Sequence, residues 1–238
     1  MKKILILIII FLLLYNWYNN LRILKLAKNI SEKVKQEIYI LPNFLNKDSF
    51  RTIKNKLKKF NKYKTSNNYI RKGSAISNNN LRNQKEINII LKLLDTPETL
   101  YNIHKRTNLN IQFMPKVDIN YISILSYNKA GDFIDWHKDG NIYYGNRWVG
   151  ILTIINKGKN NRKSSGNFLY KIDNKENKIN ASENTLILFR GDKIEHKIEP
   201  IKEGDKRIVI SMLFCDVCYQ KTDIISLLYQ KMVDFTFY

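Results

Sequence analysis

Residues 186–214 read LILFRGDKIEHKIEPIKEGDKRIVISMLF, in which two apolar runs flank a polar segment that contains Gly191 and Gly204. Ile, Leu, Val and Phe dominate the two runs, a composition that favours β-strands, whereas glycine favours the turns between strands. We therefore predict one strand at residues 185–189 and a second at residues 208–214. This part of the chain is predicted to be β-structure rather than helix.

The same β-type pattern extends upstream through residues 119–125, 148–155 and 167–172, and glycines again separate the runs. A clear helical pattern returns at residues 224–232. Many short strands with turn residues between them are typical of a sandwich or a jelly-roll barrel. We predict a mainly β fold with flanking N-terminal helices, an α+β arrangement whose jelly-roll core covers about residues 109–216.

The residues before this core predict one strand and several helices. Ile38–Leu41 is rich in β-branched and aromatic residues, which favours a strand. Asn46 is a suitable helix N-cap. Apolar residues recur after it at helical spacing, namely Phe50, Ile53, Leu57 and Phe60. Residues 61–84 are polar and predict a loop with one short strand around residues 69–76. Further helices are predicted at about residues 85–94 and from the Thr96 cap onward.

The chain is strongly basic, but its charge is uneven. Its 238 residues include 41 Lys and Arg against 21 Asp and Glu, a net charge of +20. Residues 1–115 hold 22 basic and 6 acidic residues, whereas residues 116–238 hold 19 and 15. The first half would therefore suit a polyanionic partner, while the predicted core is nearly balanced. With 44% hydrophobic residues and 2 Cys, the chain is neither disordered nor a disulfide-stapled mini-domain.

An apolar run begins almost at the N-terminus, after two lysines, and continues through residues 4–18. A helix over these residues rises about 22 Å at ~1.5 Å per residue, less than the roughly 30 Å of a bilayer core. Bulky rather than small residues follow it, so we predict an uncleaved single-pass membrane anchor instead of a cleaved signal. Residues 1–20 form the predicted anchor, residues 21–37 a basic linker and residues 38–238 the folded domain.

The orientation of this anchor stays open. Basic residues follow the apolar run more densely than they precede it, which favours a domain on the cytoplasmic side. Lysine is abundant throughout the chain, however, so the bias has little weight and a lumenal domain is equally compatible with the sequence.

Two of the three histidines lie in the predicted β region, and one of them is close to an aspartate. His137 and Asp139 are two positions apart, a spacing that places both side chains on one face of a strand. His196 follows 59 residues after His137. Two neutral imidazoles and one carboxylate form the facial triad of non-haem Fe(II) oxygenases, which leaves coordination positions open for a co-substrate and O2. The sequence therefore predicts a metal site at His137, Asp139 and His196.

A candidate anion clamp lies eleven residues beyond His196. Arg207 opens the strand predicted at residues 208–214, and the period of two places Ser211 on the same face. A guanidinium binds a carboxylate through two parallel hydrogen bonds. Arg207 and Ser211 would therefore suit the distal carboxylate of a co-substrate.

These motifs resemble those of the Fe(II)/2-oxoglutarate-dependent dioxygenases, specifically the prolyl 4-hydroxylase-like branch. The resemblance runs over about residues 38–216, beginning with ILPNFL at residues 40–45 and ending on the strand that follows Arg207. Tyr127 and the Gly131-Asp132-Phe133 sequence precede the H-x-D motif as in that branch. The resemblance implies a double-stranded β-helix, which is the jelly-roll form of this family.

The resemblance also implies a reaction and a role for each motif residue. The three triad residues would be the iron ligands, and Arg207 would bind the C5 carboxylate of 2-oxoglutarate with support from Ser211 and Tyr127. The reaction would consume O2 and 2-oxoglutarate and release succinate and CO2, with ascorbate as an expected reductant. Lys206 stays open as an alternative to Arg207, because some relatives use lysine for this salt bridge.

The substrate is less constrained than the chemistry. The resemblance and the membrane signal favour a protein or peptide substrate, hydroxylated in the manner of the prolyl 4-hydroxylases. A nucleic-acid demethylase of the AlkB type would suit the basic first half, but that family has an Asn and a second Arg where this chain has Val209 and Leu213. A non-catalytic, membrane-anchored binding module would predict a broken triad, whereas the triad is intact.

The remaining chemistry-bearing residues predict no second site. Cys215 and Cys218 form a single C-x-x-C, which is incomplete as a zinc site and predicts buried thiols or a disulfide. His104 is predicted to lie on a helix surface.

Overall fold

The structure is a computed structural model, and it describes residues 2–32, 34–221 and 228. The helices of this part of the chain are α1 (Lys2–Glu32), α2 (Lys47–Lys59), α3 (Asn78–Asn83), α4 (Ile89–Leu94) and α5 (Pro97–Thr107). The helix predicted at residues 224–232 lies outside the described residues, apart from position 228.

The strands are β1 (Ile38–Leu41), β2 (Lys64–Asn67), β3 (Arg71–Ile76), β4 (Gln112–Phe113), β5 (Ile122–Tyr127), β6 (Phe133–His137), β7 (Arg147–Lys157), β8 (Phe168–Ile172), β9 (Lys175–Ile179), β10 (Leu186–Arg190), β11 (Glu195–Ile198) and β12 (Lys206–Cys215). They form one sheet in the order β1-β10-β7-β12-β5-β3-β6-β11-β8-β9, with β2 beside β3 and β4 beside β12. The paired strands are antiparallel, and the sheet is curled. This architecture confirms the predicted mainly β, jelly-roll fold with flanking helices.

The curled sheet separates two apolar clusters. The outer cluster packs helix residues such as Ile53 of α2 against sheet residues such as Ile210 of β12. The inner cluster includes Phe168 of β8 and Val209 of β12. Because successive side chains of a strand point to opposite faces, one central strand supplies both clusters. The residues predicted as site residues lie on the inner face.

The first elements of the domain follow the sequence closely. β1 has the predicted bounds, and α2 begins after the predicted cap, where Asn46 Oδ1 accepts a hydrogen bond from the Ser49 backbone N–H at 2.9 Å. Ile53 and Leu57 of α2 are fully buried, as the apolar spacing predicts. α5 begins after Thr96, whose hydroxyl caps the helix by accepting from the Thr99 N–H at 3.2 Å.

The polar segment at residues 61–84 contains more secondary structure than predicted. The strand predicted around residues 69–76 is β3, and β2 and α3 flank it where a loop was predicted. β2 was missed because its KTSN sequence is polar and mostly exposed, without the apolar alternation that identifies a strand. The helix predicted at residues 85–94 is shorter than predicted, because turns precede Ile89.

The sheet also reaches beyond the core predicted at residues 109–216. β1 pairs with β10, and β3 lies between β5 and β6, so N-terminal strands complete the barrel wall. The strand predicted at residues 119–125 is shifted to Ile122–Tyr127. β9 was not predicted, because its KENKI sequence lies at the sheet edge and is mostly exposed, which leaves no apolar pattern.

The N-terminal helix continues across the predicted boundary between anchor and linker at residue 20. α1 has 31 residues and rises about 46 Å at ~1.5 Å per residue, because good helix formers follow the apolar run. In the described chain it is one helix long and apolar enough to cross a membrane, and none of its apolar window is buried. The helix is thus a candidate membrane anchor or signal sequence, with its continuous apolar run confined to residues 4–18.

Candidate metal centre and its anion-binding cavity

The three residues predicted as metal ligands lie together inside the curled sheet. His137 ends β6 and is the direct cross-strand partner of His196 on β11, with ring centroids 4.2 Å apart. Asp139 lies two residues beyond the end of β6 rather than on the strand as predicted, and its Oδ1 is 3.8 Å from His137 Nε2. One ligand atom from each residue lies within 4.8 Å of the other two, close enough for one metal ion to contact all three.

Backbone carbonyls orient both imidazoles. His137 Nδ1 is 2.7 Å from the Asp135 carbonyl oxygen, and His196 Nδ1 is 3.0 Å from the Ile194 carbonyl oxygen. A carbonyl only accepts hydrogen bonds, so each Nδ1 carries the proton and donates it. The lone pair of each Nε2 is therefore directed to the centre of the triad, which is the tautomer that a metal site requires.

Asp139 is positioned by residues that the sequence did not indicate. Its backbone N–H donates to the Gly191 carbonyl at 2.8 Å, and a Cβ at Gly191 would overlap the Asp139 carboxylate. Arg147, the first residue of β7, has its Nε 3.9 Å from Asp139 Oδ2 and donates from Nη1 to the Gly140 carbonyl at 2.8 Å. Glycine at position 191 is therefore needed for a close approach and is more than a turn residue.

The protonation states match those of a metal-binding triad. Burial lowers the pKa of His196 to about 4, although Asp139 opposes this shift. Burial raises the pKa of Asp139, but the Arg147 guanidinium and the two imidazoles outweigh it and leave this pKa below its usual value. At neutral pH the site therefore presents a neutral His196 and an ionised Asp139, which are the ligand forms that a divalent metal requires.

A buried cation lies in the same cavity as the triad. Arg207 of β12 is 2% exposed, and its Nη1 has no hydrogen-bond partner among the described residues. Tyr127 of β5 is its direct cross-strand partner, and the Tyr127 hydroxyl is equally buried and without a partner. Two buried donors without acceptors are unusual in a protein, since each loses its hydration. A bound carboxylate would satisfy both.

The cavity brings all six predicted site residues together. Its empty volume is about 690 Å³ including its open mouth, and its lining includes the triad together with Arg207, Tyr127 and Ser211. Lys206, the alternative to Arg207, does not line it and faces the other side of the sheet. The alternation along β12 thus favours Arg207 as the clamp.

Two further arginines, which sequence reasoning missed, also line this cavity. Arg71 of β3 is completely buried and Arg147 nearly so. Among the lining residues Asp139 is the only carboxylate against three guanidinium groups. This excess of positive charge in a buried space favours an anionic ligand, and the two-imidazole, one-carboxylate donor set fits a transition metal such as Fe(II).

The other chemistry-bearing residues lie away from the triad. Cys215 and Cys218 are joined in a disulfide at the end of β12, one of the two states predicted for them. His104 is exposed on α5, as predicted, with its Nδ1 3.2 Å from the Leu109 carbonyl oxygen.

Comparison with known proteins gives matches in structure but none in sequence. No protein-family model matches the chain, and no curated protein matches it in sequence. A prolyl hydroxylase from Trichoplax adhaerens, solved with a peptide fragment of the hypoxia-inducible factor oxygen degradation domain, is 16% identical with a TM-score of 0.56, covering 84% of this chain and 93% of its own. A prolyl-4-hydroxylase from Pseudomonas putida is 15% identical with a TM-score of 0.55, over 80% of this chain and 98% of its own.

A third solved structure also matches the fold of this chain. An oxidoreductase of the 2OG-Fe(II) oxygenase family from Burkholderia pseudomallei is 11% identical with a TM-score of 0.60, covering 82% of this chain and 92% of its own. The chain therefore has the fold of prolyl hydroxylases and of 2OG-Fe(II) oxygenases over most of its length. The resemblance seen in the sequence motifs is matched by the architecture that carries them.

Proposed function

We propose that this protein is an Fe(II)- and 2-oxoglutarate-dependent dioxygenase that hydroxylates a peptidyl substrate in the manner of the prolyl 4-hydroxylases. One observation carries the proposal. A complete triad of His137, Asp139 and His196 shares one buried cavity with Arg207, whose Nη1 has no hydrogen-bond partner in the described chain. A metal site and a carboxylate site in one cavity are what such a reaction requires.

The triad would hold the iron, and the protein prepares its ligands in advance. Both Nδ1 protons are held by backbone carbonyls, and Arg147 keeps the Asp139 carboxylate ionised. Iron bound there would supply, with O2, the redox chemistry that couples decarboxylation of 2-oxoglutarate to hydroxylation of a substrate C–H bond. No group of the chain itself needs to accept electrons, so its part is to bind and orient.

The co-substrate would be held by donors on β5 and β12. Arg207 Nη1 and the Tyr127 hydroxyl would donate to the C5 carboxylate, and Ser211, four residues along β12, would add a second hydroxyl. Burial raises the pKa of Tyr127, which keeps its hydroxyl protonated as a donor.

A peptide is the favoured substrate class. The Trichoplax adhaerens structure is described as a prolyl hydroxylase in complex with a peptide fragment, which supports an analogous substrate here. The nucleic-acid demethylase alternative lacks its two polar residues, because Val209 and Leu213 are apolar, buried and part of the cavity wall. The non-catalytic alternative gives no reason for an intact triad beside an unpartnered guanidinium.

The chain would act at a membrane surface. α1 presents an unburied apolar stretch over residues 4–18, which in water would be costly to expose. We propose that α1 is a single-pass anchor and that the domain from residue 38 onward stands at the membrane, on a side that neither its charge nor its fold decides.

The deciding experiment is succinate release by the full-length protein in detergent, with Fe(II), 2-oxoglutarate and ascorbate. We expect proline-containing peptides to stimulate release and methylated single-stranded DNA or RNA to have no effect. A peptide hydroxylase should respond weakly to salt, whereas a demethylase should slow steeply between about 50 and 200 mM salt. His137→Ala serves as the matched inactive control. Salt-sensitive turnover of a methylated oligonucleotide, without a response to peptides, would replace the proposal with the demethylase.

A further inference from the structure

A second pocket lies on the outer face of the same strands that form the cavity. Thr65, Ser74, Ser126 and Ile208 form one cross-strand row over β2, β3, β5 and β12, each the register partner of the next. Four lysines stand around this row: Lys58, Lys59, Lys129 and Lys206. We call this space, which Tyr63 also lines, the lysine pocket.

Several side chains of the lysine pocket have no polar partner within the described residues. None of its four lysines forms an ion pair with a carboxylate in the described part of the chain, and its lining contains no Asp or Glu. Ser126 is 1% exposed, and its Oγ has no hydrogen-bond partner there. The buried Tyr63 hydroxyl also has none, and burial raises its pKa to about 12, so it remains a donor at neutral pH.

Ordinary structural roles explain only half of the lysines. Lys58 and Lys59 lie in the last turn of α2, where cations stabilise the negative end of the helix dipole. Lys129 and Lys206 have no such role. Lys206 is moreover the direct cross-strand partner of Lys157, and like charges in that position are destabilising. An anion in the pocket would relieve this repulsion and accept hydrogen bonds from both hydroxyls.

We propose that the lysine pocket binds a phosphate group with at least two negative charges. Lysine acts as a point charge and is a common phosphate ligand, whereas planar carboxylates are matched best by the guanidinium fork. The lining has four lysines and no arginine. It thus differs in chemistry from the cavity behind it, where guanidinium groups line the wall.

Inorganic pyrophosphate is the probe, titrated calorimetrically into the full-length protein in detergent. We expect one pyrophosphate per chain. The double variant Lys129→Gln/Lys206→Gln should weaken binding about thirtyfold, the effect of two exposed ion pairs at the upper end of their range. The control Lys47→Gln/Lys175→Gln changes net charge equally at exposed positions outside the pocket and should change affinity less than about twofold. Tyr63→Phe, which removes one hydroxyl, should weaken binding without loss of the fold.

A second arm identifies the source of the phosphate. Glycerol phosphate and detergent micelles that contain phosphatidic acid are compared as competitors of pyrophosphate at equal phosphate concentration. Stronger displacement by the micelles indicates a lipid headgroup, and equal displacement a soluble phosphate. Equal affinity of both double variants for pyrophosphate would contradict the proposed phosphate site. Binding of several pyrophosphates per chain, or displacement only by long oligonucleotides, would do the same, because it would indicate diffuse attraction to the +20 charge.

Discussion

The two faces of β12 differ in how far their positive charges are exposed to solvent. On the inner face Arg207 is buried beside Tyr127, and within the described residues neither Arg207 Nη1 nor the Tyr127 hydroxyl has a hydrogen-bond partner. On the outer face the neighbouring Lys206 is partly exposed and stands with other lysines at an open pocket. Two adjacent residues of one strand therefore hold their charges in different environments. The Arg207 guanidinium is buried, and the Lys206 ammonium is partly exposed to solvent.

The difference shows why burial decides which cation suits which ligand. A buried charge loses its hydration and is stabilised only by a ligand that matches its geometry closely. An exposed lysine remains hydrated, so its charge costs little free energy when no ligand is bound. The inner face is thus expected to be selective and strongly affected by substitution, and the outer face tolerant, with smaller effects per residue.

The largest effect is expected from removal of the two histidines of the inner face. We expect His137→Ala combined with His196→Ala to abolish both iron binding and succinate release, because one carboxylate cannot hold the metal alone. Iron per chain is measured by elemental analysis, and circular dichroism checks that the fold survives. Full iron occupancy in the double variant would contradict the triad.

The next largest effect separates the two faces directly. Arg207→Ala should weaken 2-oxoglutarate binding by about 2–5 kcal/mol, the range for removal of one partner of a buried charge pair. Lys206→Ala should change it little, because its side chain lies on the other side of the sheet. Titration of both variants with 2-oxoglutarate, with the iron content held equal, gives the ranking. The reverse ranking would place the co-substrate on the outer face.

A pH effect of intermediate size should come from the inner face. Burial lowers the pKa of His196 to about 4 in the folded chain. The unfolded chain therefore binds a proton at this imidazole near pH 6.5, whereas the folded chain binds it only near pH 4. Metal-free protein should therefore lose up to about 3 kcal/mol of stability as the pH falls through this window. Urea midpoints at pH 7.5 and 5 measure the loss. His196→Gln should flatten this dependence, and an unchanged slope in that variant would show that another group titrates.

The smallest effect on catalysis is expected from the anchor. Removal of residues 1–20 should release the protein from membranes, because the apolar part of α1 is lost. Turnover of 2-oxoglutarate should stay within about twofold of that of the full chain, since these residues do not line the cavity. Sedimentation with membranes and succinate release are measured together. A full-length protein that remains in the soluble fraction would contradict the anchor.

The site was largely predictable because its key residues are rare and regularly spaced. Two of only three histidines, one with an aspartate two positions later, stand out against a background of Lys, Asn and Ile. The residues that support Asp139 were not predictable. Arg147 and Gly191 lie on separate segments of the sequence, and they reach the carboxylate only because β6, β7 and β10 converge there.

The fold shows the same division. Strands with continuous apolar runs, such as β7 and β12, were found from the sequence, and β3 corresponds to the short strand predicted around residues 69–76. β2 and β9 were missed because their sequences, KTSN and KENKI, are polar and mostly exposed, which removes the apolar pattern. The strand end before Asp139 was also missed. A spacing of two predicts a shared face only while the strand continues, and β6 ends at His137.

The sequence by itself determined the β-rich class, the apolar N-terminal helix and the three candidate metal ligands, because these depend on residue type and local period. Only the tertiary structure placed Arg207 rather than Lys206 in the cavity and brought Arg71 beside it. Both outcomes depend on which face of a strand is turned inward and on which strands become neighbours. Those are properties of long-range pairing, and side chains distant in the sequence carry no local trace of them.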